Sequence, residues 1–405
     1  MKNPEGLKTA GLYIHIPFCD IKCSYCDFYT VTRRDSQIPF YLKALRKEVE
    51  FYSTDSIVRN LRFETIFLGG GTPSLLKPEQ IFSLLELIKT RFEVATHSEV
   101  TLETNPNTVD LQKLEALLES GVTRLSLGVQ SFYPAELKFL DRDHSDKESV
   151  AAVQNARKAG FKNISIDLIF GLPKQKLFTW QKNLELAVEL NPNHISTYNL
   201  TYEEGTPLTA RLKRKEVEIL ADETQKQMFL TTIDFLQANG FEQYEISNYA
   251  KPGCQSIHNK KYWDGSPYLG LGVSSHSFLN SRRFWNVRNM KTYISALENK
   301  TLPIEGGEKL DIKQRALEKV FLGLRQRRGI DLKSFEDEIG LAFFERYARS
   351  MSKFFEVDFR NAELTSELVS GVRDLQGMFL EIEGGFLRLT KAGIVLSDSI
   401  CAEFV

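Results

Sequence analysis

Along the first 200 residues, short runs dense in branched apolar side chains alternate with longer stretches whose apolar residues recur every three or four positions. The short runs, Leu12–Ile16, Thr65–Leu68, Glu99–Glu103, Arg124–Leu127, Asn163–Leu168 and His194–Asn199, read as strands. Between them, Tyr41–Phe51, Pro78–Phe92, Asp110–Ser120, Lys147–Ala159 and Thr179–Leu190 carry the helical period. Alternation of this kind predicts βαβ units and a parallel sheet. Six strands suit an α/β fold built as a partial (β/α)6 barrel better than a full eight-stranded one, and an open doubly wound sheet remains an alternative. In either architecture the loops after the strand C-termini carry the chemistry.

From about Thr201 the pattern loosens into a helix, Ala221–Ala238, and a region rich in glycine and aromatics, Phe241–Phe284. Helical periodicity returns at Ile312–Leu324, Leu332–Ile339 and Phe343–Lys353. An apolar-alternating segment follows, Phe379–Leu389, turning at Gly384-Gly385, and then a last predicted helix, Thr390–Ala402. Helices followed by a two-residue glycine hairpin suggest a winged-helix-like module. The expected organisation is a barrel core over 1–200, an extension over 201–305 and a helical, winged domain over 306–405.

Charge and composition narrow the partners. Lys and Arg number 52 against 53 Asp and Glu, so the basic excess of a polyanion binder is missing and nucleic acid is not expected. The longest uncharged stretches, such as Gly265–Ser281, are interrupted by Gly, Ser and Pro and are too short to span a bilayer. With no apolar leader over Met1–Ala10, the chain reads as cytoplasmic. Three of five cysteines fall within eight residues, a spacing that points to metal rather than to disulfides.

That cluster is Cys19-x-x-x-Cys23-x-x-Cys26, in the loop after the first predicted strand. Three thiolates can hold three irons of a cubane and leave the fourth open as a Lewis acid. The competing reading is a zinc site completed by a histidine such as His15. Gly69-Gly70-Gly71-Thr72-Pro73 follows the second strand, where backbone without side chains can approach a ligand. Glu103 ends the third strand, Gln130 follows the fourth, Arg142 sits in Leu140-Asp141-Arg142, and Asp167 lies in the fifth. Each taken alone is equally an exposed charge or a strand-end cap.

The cysteine spacing, the glycine turn one βα unit later and their order resemble the radical S-adenosylmethionine (SAM) superfamily. The segments Tyr13–Cys19, Gly69–Pro73, Gly128–Gln130 and Ile166–Gln175 resemble its HemN/HemW branch, which holds oxygen-independent coproporphyrinogen III oxidases and heme chaperones. The resemblance implies a [4Fe–4S] cluster on Cys19, Cys23 and Cys26 with SAM on the open iron. It implies SAM contacts from Tyr13, Tyr25, Gly70, Gly71, Thr72, Glu103, Gln130, Arg142 and Asp167, and a reductant such as a flavodoxin or ferredoxin.

Within the branch, three features favour a heme chaperone that delivers heme to an acceptor protein over an oxidase. Phe28 stands where the oxidases have a further cysteine. Only twelve residues precede Tyr13, too few for the oxidases' N-terminal lid. His258-Asn259-Lys260-Lys261-Tyr262-Trp263 matches the HNxxYW motif associated with heme, which implies heme contacts from His258, Tyr262 and Trp263. A neutral imidazole and two flat rings suit that task. His276, in a glycine-rich neighbourhood, is a second candidate without an assigned role; His15, His97, His144 and His194 read as structural or exposed. Cys254 reads as a small buried hydrophobe, and Arg325–Arg328 as a solvated helix end.

Overall fold

The computed structural model describes residues 7–405, which divide into two units. The first comprises residues up to Glu242 together with Tyr249–His258 and Ser266–Glu308; the second comprises Gln243–Asn248, Asn259–Gly265 and Lys309–Val405. The expected middle segment 201–305 is therefore not a body of its own. Most of it belongs with the barrel, and two short pieces belong with the C-terminal unit.

In the first unit six strands lie side by side in chain order: β1 (Lys8–Ile16), β2 (Leu61–Gly70), β3 (Glu93–Thr104), β4 (Arg124–Gln130), β5 (Asn163–Phe170) and β6 (His194–Asn199). Every neighbouring pair is parallel. The crossovers carry α1 (Ile38–Ser53), α2 (Pro78–Arg91), α3 (Leu111–Glu119), α4 (Asp146–Lys158) and α5 (Leu177–Glu189). Because the strand order never reverses along this arc, right-handed crossovers place all five helices on one face. A sheet helical on one face only is a partial barrel; the doubly wound alternative needs a reversal between β1 and β6.

The sheet also grows on the other side of β1. There β7 (Tyr268–Leu271) runs parallel to it, pairing Gly11 with Tyr268 and Ile14 with Leu271. Two antiparallel strands, β8 (His276–Leu279) and β9 (Arg282–Asn286), and an edge strand, β10 (Ile304–Lys309), complete this apron. The parallel arc thus holds one strand more than the hydrophobic pattern predicts. Four residues, Tyr-Leu-Gly-Leu, are too few to show a period.

Alternation within the strands separates two environments. Leu12, Ile14, Leu68, Leu102, Leu127 and Ile166 are fully buried on the helical side. The residues between them, including Tyr13, His15, Thr101, Glu103, Ser126, Ser165 and Asp167, point to the inner face. A side-chain-filled barrel would place branched apolar residues there. This one presents carboxylates, hydroxyls and imidazoles instead.

The second unit packs an aromatic core, with Phe335, Phe343 and Tyr347 in mutual ring contact, against a small antiparallel sheet. Its hairpin Leu380–Glu383/Phe386–Leu389 turns at Gly384 and Gly385, both at positive φ, as the glycine pair requires. The single predicted helix Thr390–Ala402 is instead two short ones, Lys391–Ile394 and Ser397–Ala402. Leu396 leaves the helical conformation between them (φ −110°, ψ 20°). No helix among the described residues is long and apolar enough to cross a membrane.

One buried carboxylate joins three parts of the first unit. Glu48 of α1 accepts from the Gly272 amide (2.7 Å), the Tyr293 hydroxyl (2.6 Å) and the Asn286 side chain (2.6 Å). Burial outweighs these donors and pushes its carboxyl from 4.5 to about 7. The folded chain therefore binds this proton more tightly than the unfolded chain does. Its contribution to stability is full below about pH 4.5 and declines as pH rises through 7. Glu48→Gln should cancel that decline: the unfolding free energy of the variant relative to wild type should rise by about 3 kcal/mol between about pH 5 and pH 8. Denaturant titrations at the two pH values measure it.

Candidate functional site

The cysteine loop leaves the end of β1 and is held by backbone. Phe18–Cys19 pairs in parallel with Val31–Thr32, closing the loop at its base. The turn after β2 then docks onto it: the Gly71 amide donates to the Ile16 carbonyl (2.8 Å) and the Thr72 amide to the Phe18 carbonyl (2.7 Å). A Cβ on Gly71 would lie 2.6 Å from the Phe18 oxygen, and one on Gly70 (φ +110°) would lie 2.4 Å from the His15 ring. Both positions require glycine because the chain passes so close to the cysteine loop. This approach brings the Thr72 hydroxyl to 3.5 Å from the Cys19 sulfur.

A second clasp comes from the loop that follows β4 and the short helix Pro134–Phe139. The Ser24 amide donates to the Asp141 carboxylate (3.1 Å), and the Arg142 guanidinium reaches the Cys23 sulfur (3.6 Å), the Gly128 carbonyl (3.0 Å) and the Asn105 side chain (2.5 Å). Asn105 in turn donates to the Thr72 hydroxyl (3.3 Å). It links the two clasps, and reading by motif missed it. The available signal was its place directly after the third strand, in Glu103-Thr104-Asn105. Tyr25 packs beside an apolar cluster of Leu140, Ile169, Leu172 and Leu200, and burial raises its hydroxyl pKa.

Among the described residues no three His, Cys, Asp or Glu side chains converge as a single-ion site needs. Burial pushes the Cys19 thiol up to about 11, so loading metal must release protons. His15, the histidine considered for zinc, turns away from the cysteines to Tyr13 (3.1 Å) and the Tyr29 carbonyl (2.8 Å). Burial lowers its pKa to about 4.

Below the loop, the polar inner face carries two groups of hydrogen bonds, one at Glu103 and one at Asp167. Glu103 accepts from the Gly70 amide (3.0 Å), and burial raises its carboxyl to about 7. Asp167 accepts from Ser126 (2.9 Å) and Ser165 (3.3 Å), and its pKa is also raised by burial. Ser165 also meets His194 (2.7 Å). Several buried atoms here lack a partner: Oε1 of Gln130, Nε of Arg142, Nε of Arg124 and the Thr101 hydroxyl. Gln130 is held at φ +65°, a strained conformation for a side-chain-bearing residue. Orphaned donors and acceptors beside a thiol loop fit a polar ligand of both charges.

The HNxxYW residues are placed differently. His258 is 1% exposed, with Nδ1 2.7 Å from the Thr65 hydroxyl and its ring stacked on Phe67. The Glu99 carboxylate receives the backbone amides of Ile257 and His258, capping the N-terminus of α6 (Ile257–Asp264). His258 therefore occupies the barrel interior as a packed histidine, not as an imidazole turned to solvent. Trp263, in the second unit, lies under Arg325 and accepts at its carbonyl from Gln326 (3.0 Å); Tyr262 beside it is half-buried. Phe28 is exposed.

Comparison with known proteins adds the lineage. The Radical SAM superfamily matches residues 13–187, and the HemN C-terminal domain matches 310–396. The heme chaperone HemW of Bacillus subtilis (strain 168) is 35% identical over 344 residues, covering 85% of this chain and 88% of that protein. A Danio rerio protein, radical S-adenosyl methionine domain-containing protein 1, mitochondrial, is 32% identical and covers 98% of this chain and 87% of its own length. The solved coproporphyrinogen III oxidase HemN of Escherichia coli superposes with a TM-score of 0.80 over 98% of this chain and 90% of that one. At 23% identity that likeness concerns the fold.

The glycine contacts yield a test. Gly71→Ala must displace the Phe18 carbonyl, which should cost about 1–3 kcal/mol and loosen the cysteine loop. Thermal unfolding should show the loss, and iron and sulfide per chain after anaerobic reconstitution should fall below wild type.

Proposed function

The chain belongs to the HemW family of the radical SAM superfamily, and on that premise we propose that it is a heme chaperone, which binds heme and passes it to an acceptor protein. The observation that carries the reading is the 35% identity to a heme chaperone across 85% of the chain. Cys19, Cys23 and Cys26 would hold a [4Fe–4S] cluster, and the polar inner face would hold SAM. When bound, the cluster supplies an electron and an open iron for the amino-acid end of SAM.

The chain's own residues prepare that place. Thr72 and Arg142 direct donors at the Cys19 and Cys23 sulfurs, which stabilises thiolate charge. Glu103, near neutral pH in its affinity for a proton, can accept from an ammonium or a ribose hydroxyl. Gln130 and Arg142 offer unpaired polar atoms, and Asp167 anchors the deeper wall through Ser126 and Ser165. Tyr13 and Tyr25 supply ring surface at either side, and Gly70 and Gly71 keep the turn close. His258 acts as an interior strut on this reading, with Tyr262 and Trp263 following on the same helix. The setting would be the cytosol, with a flavodoxin or ferredoxin as electron source.

The test is anaerobic, on reconstituted full-length protein. Hemin should bind saturably, and coproporphyrinogen III with SAM and a reductant should release no carbon dioxide. Decarboxylation would overturn the chaperone reading in favour of an oxidase. In parallel, Cys23→Ala should lose the iron–sulfur absorbance; a full four-iron cluster in that variant would refute the ligand assignment.

A further inference from the structure

The two clasps leave one thiol uncovered. Thr72 reaches Cys19 and Arg142 reaches the buried Cys23, and among the described residues neither clasp donates to the half-buried Cys26. The Cys26 sulfur accepts instead from the backbone amide of Phe28. The ring of that residue is 59% exposed, so an apolar surface group stands one hydrogen bond from a cluster thiol.

Cations surround the ring. The Lys22 ammonium donates to the Phe28 carbonyl (3.5 Å) and the Arg288 guanidinium to the Asp27 carbonyl, so two charges are pinned on successive carbonyls beside it. The next residue, Tyr29, accepts at its hydroxyl from the Met290 amide (2.9 Å), which ties segment 288–291 to the loop. Here lies a cleft of about 360 Å³ whose walls include Tyr29, Thr32, Asn289 and two further cations, Arg34 and Lys291. Both are exposed, and among the described residues neither side chain has a hydrogen-bond or ion-pair partner. Lys22, Arg33, Arg34, Arg288 and Lys291 outnumber the exposed acids around the loop, Asp20, Asp27, Asp35 and Asp143. The patch is therefore positive on a chain whose formal charge is −1.

A small apolar centre inside a charged rim is the anatomy of a transient encounter rather than of a permanent interface. Position selects the class of partner. Electron transfer weakens steeply with distance, and this face stands at the thiol that no clasp covers. Charge complementarity makes the carrier acidic. We propose that the face docks an acidic electron-carrier protein, with Phe28 at the apolar centre, Lys22, Arg34, Arg288 and Lys291 opposite its carboxylates, and the electron entering through Cys26. One electron leaves the carrier's redox group and one reduces the cluster; no bond forms or breaks. This rests on the cluster assignment made above and deepens it by giving the reductant an address.

The experiment uses the anaerobic, reconstituted full-length chain and an acidic flavodoxin as the probe. Oxidised flavodoxin should bind, and more weakly as sodium chloride is raised. The double variant Lys22→Glu/Lys291→Glu should weaken binding by about tenfold or more, and reduction of its cluster by reduced flavodoxin should slow by a similar factor. Phe28→Ser should slow that reduction too. Photoreduction by a deazaflavin, a small uncharged donor, should proceed in every variant as in wild type. Unchanged iron content and circular dichroism report that the variants remain folded. If the double variant binds and accepts electrons like wild type, the docking face is wrong and the cluster assignment stands. Competition by millimolar inorganic phosphate at constant ionic strength would make the cleft a small-anion site and would equally overturn the proposal. A wild-type chain that reconstitutes no four-iron cluster would remove the cluster assignment, and the entry route with it.

Discussion

Everything in the first unit depends on how closely the end of β2 approaches the end of β1. Two backbone hydrogen bonds, Gly71 to Ile16 and Thr72 to Phe18, extend the parallel pairing past the strands and onto the cysteine loop. No side chain fits in that gap at Gly70 or Gly71. The approach delivers the Thr72 hydroxyl to one thiol, and through Asn105 it is tied to the guanidinium that reaches another. The glycine turn was expected to serve a ligand directly. Its first task is to let two strand ends meet, and the placing of the thiols follows from that.

The polar inner face carries a cost of its own. Glu103, Asp167 and His194 are taken out of water, and the first two hold their protons more tightly for it while the imidazole resists gaining one. Hydroxyls from Ser126 and Ser165 offset part of this. The backbone contributes strain as well: Gln130 and Ser274 at strand ends, and Asp141 after the short helix Pro134–Phe139, are all at positive φ. Burial of so many polar groups on one face is compatible with folding because the other face is apolar and covered by helices. The stabilising contacts and the ligand-facing groups thus occupy opposite sides of the same strands.

The expected and observed elements agree where a segment is long enough to show its period. All six strands of the arc and the five crossover helices are visible in the hydrophobic pattern, because each has one face under a helix or over the core. The apron was not visible. Its strands are four to six residues long, contain Gly270, Gly306 and Gly307, and mix arginine with aromatics. The continuous helix Thr390–Ala402 failed at Leu396, where apolar composition persists but the backbone leaves the helical region. The polar alternation in Leu-Ser-Leu and Ile-Ser-Ile-Asp was present in the sequence, and strands buried on both sides make it a signature of a lined interior.

For the site, sequence alone determined the thiol loop, the glycine turn and the strand-end carboxylates, since these depend on local spacing and on which residue types ligate or accept. It also supplied the family resemblance that relatives at 35% identity confirm. Only the tertiary structure decided where the histidines sit. His258 and His276 both stand beside aromatics, so composition cannot separate them. The helix start held by Glu99 places one imidazole in the interior against Thr65 and Phe67, and strand register leaves the other exposed on Trp285. The physical reason is that exposure and orientation depend on contacts between segments far apart in the chain, such as His258 with Thr65, which no local pattern records.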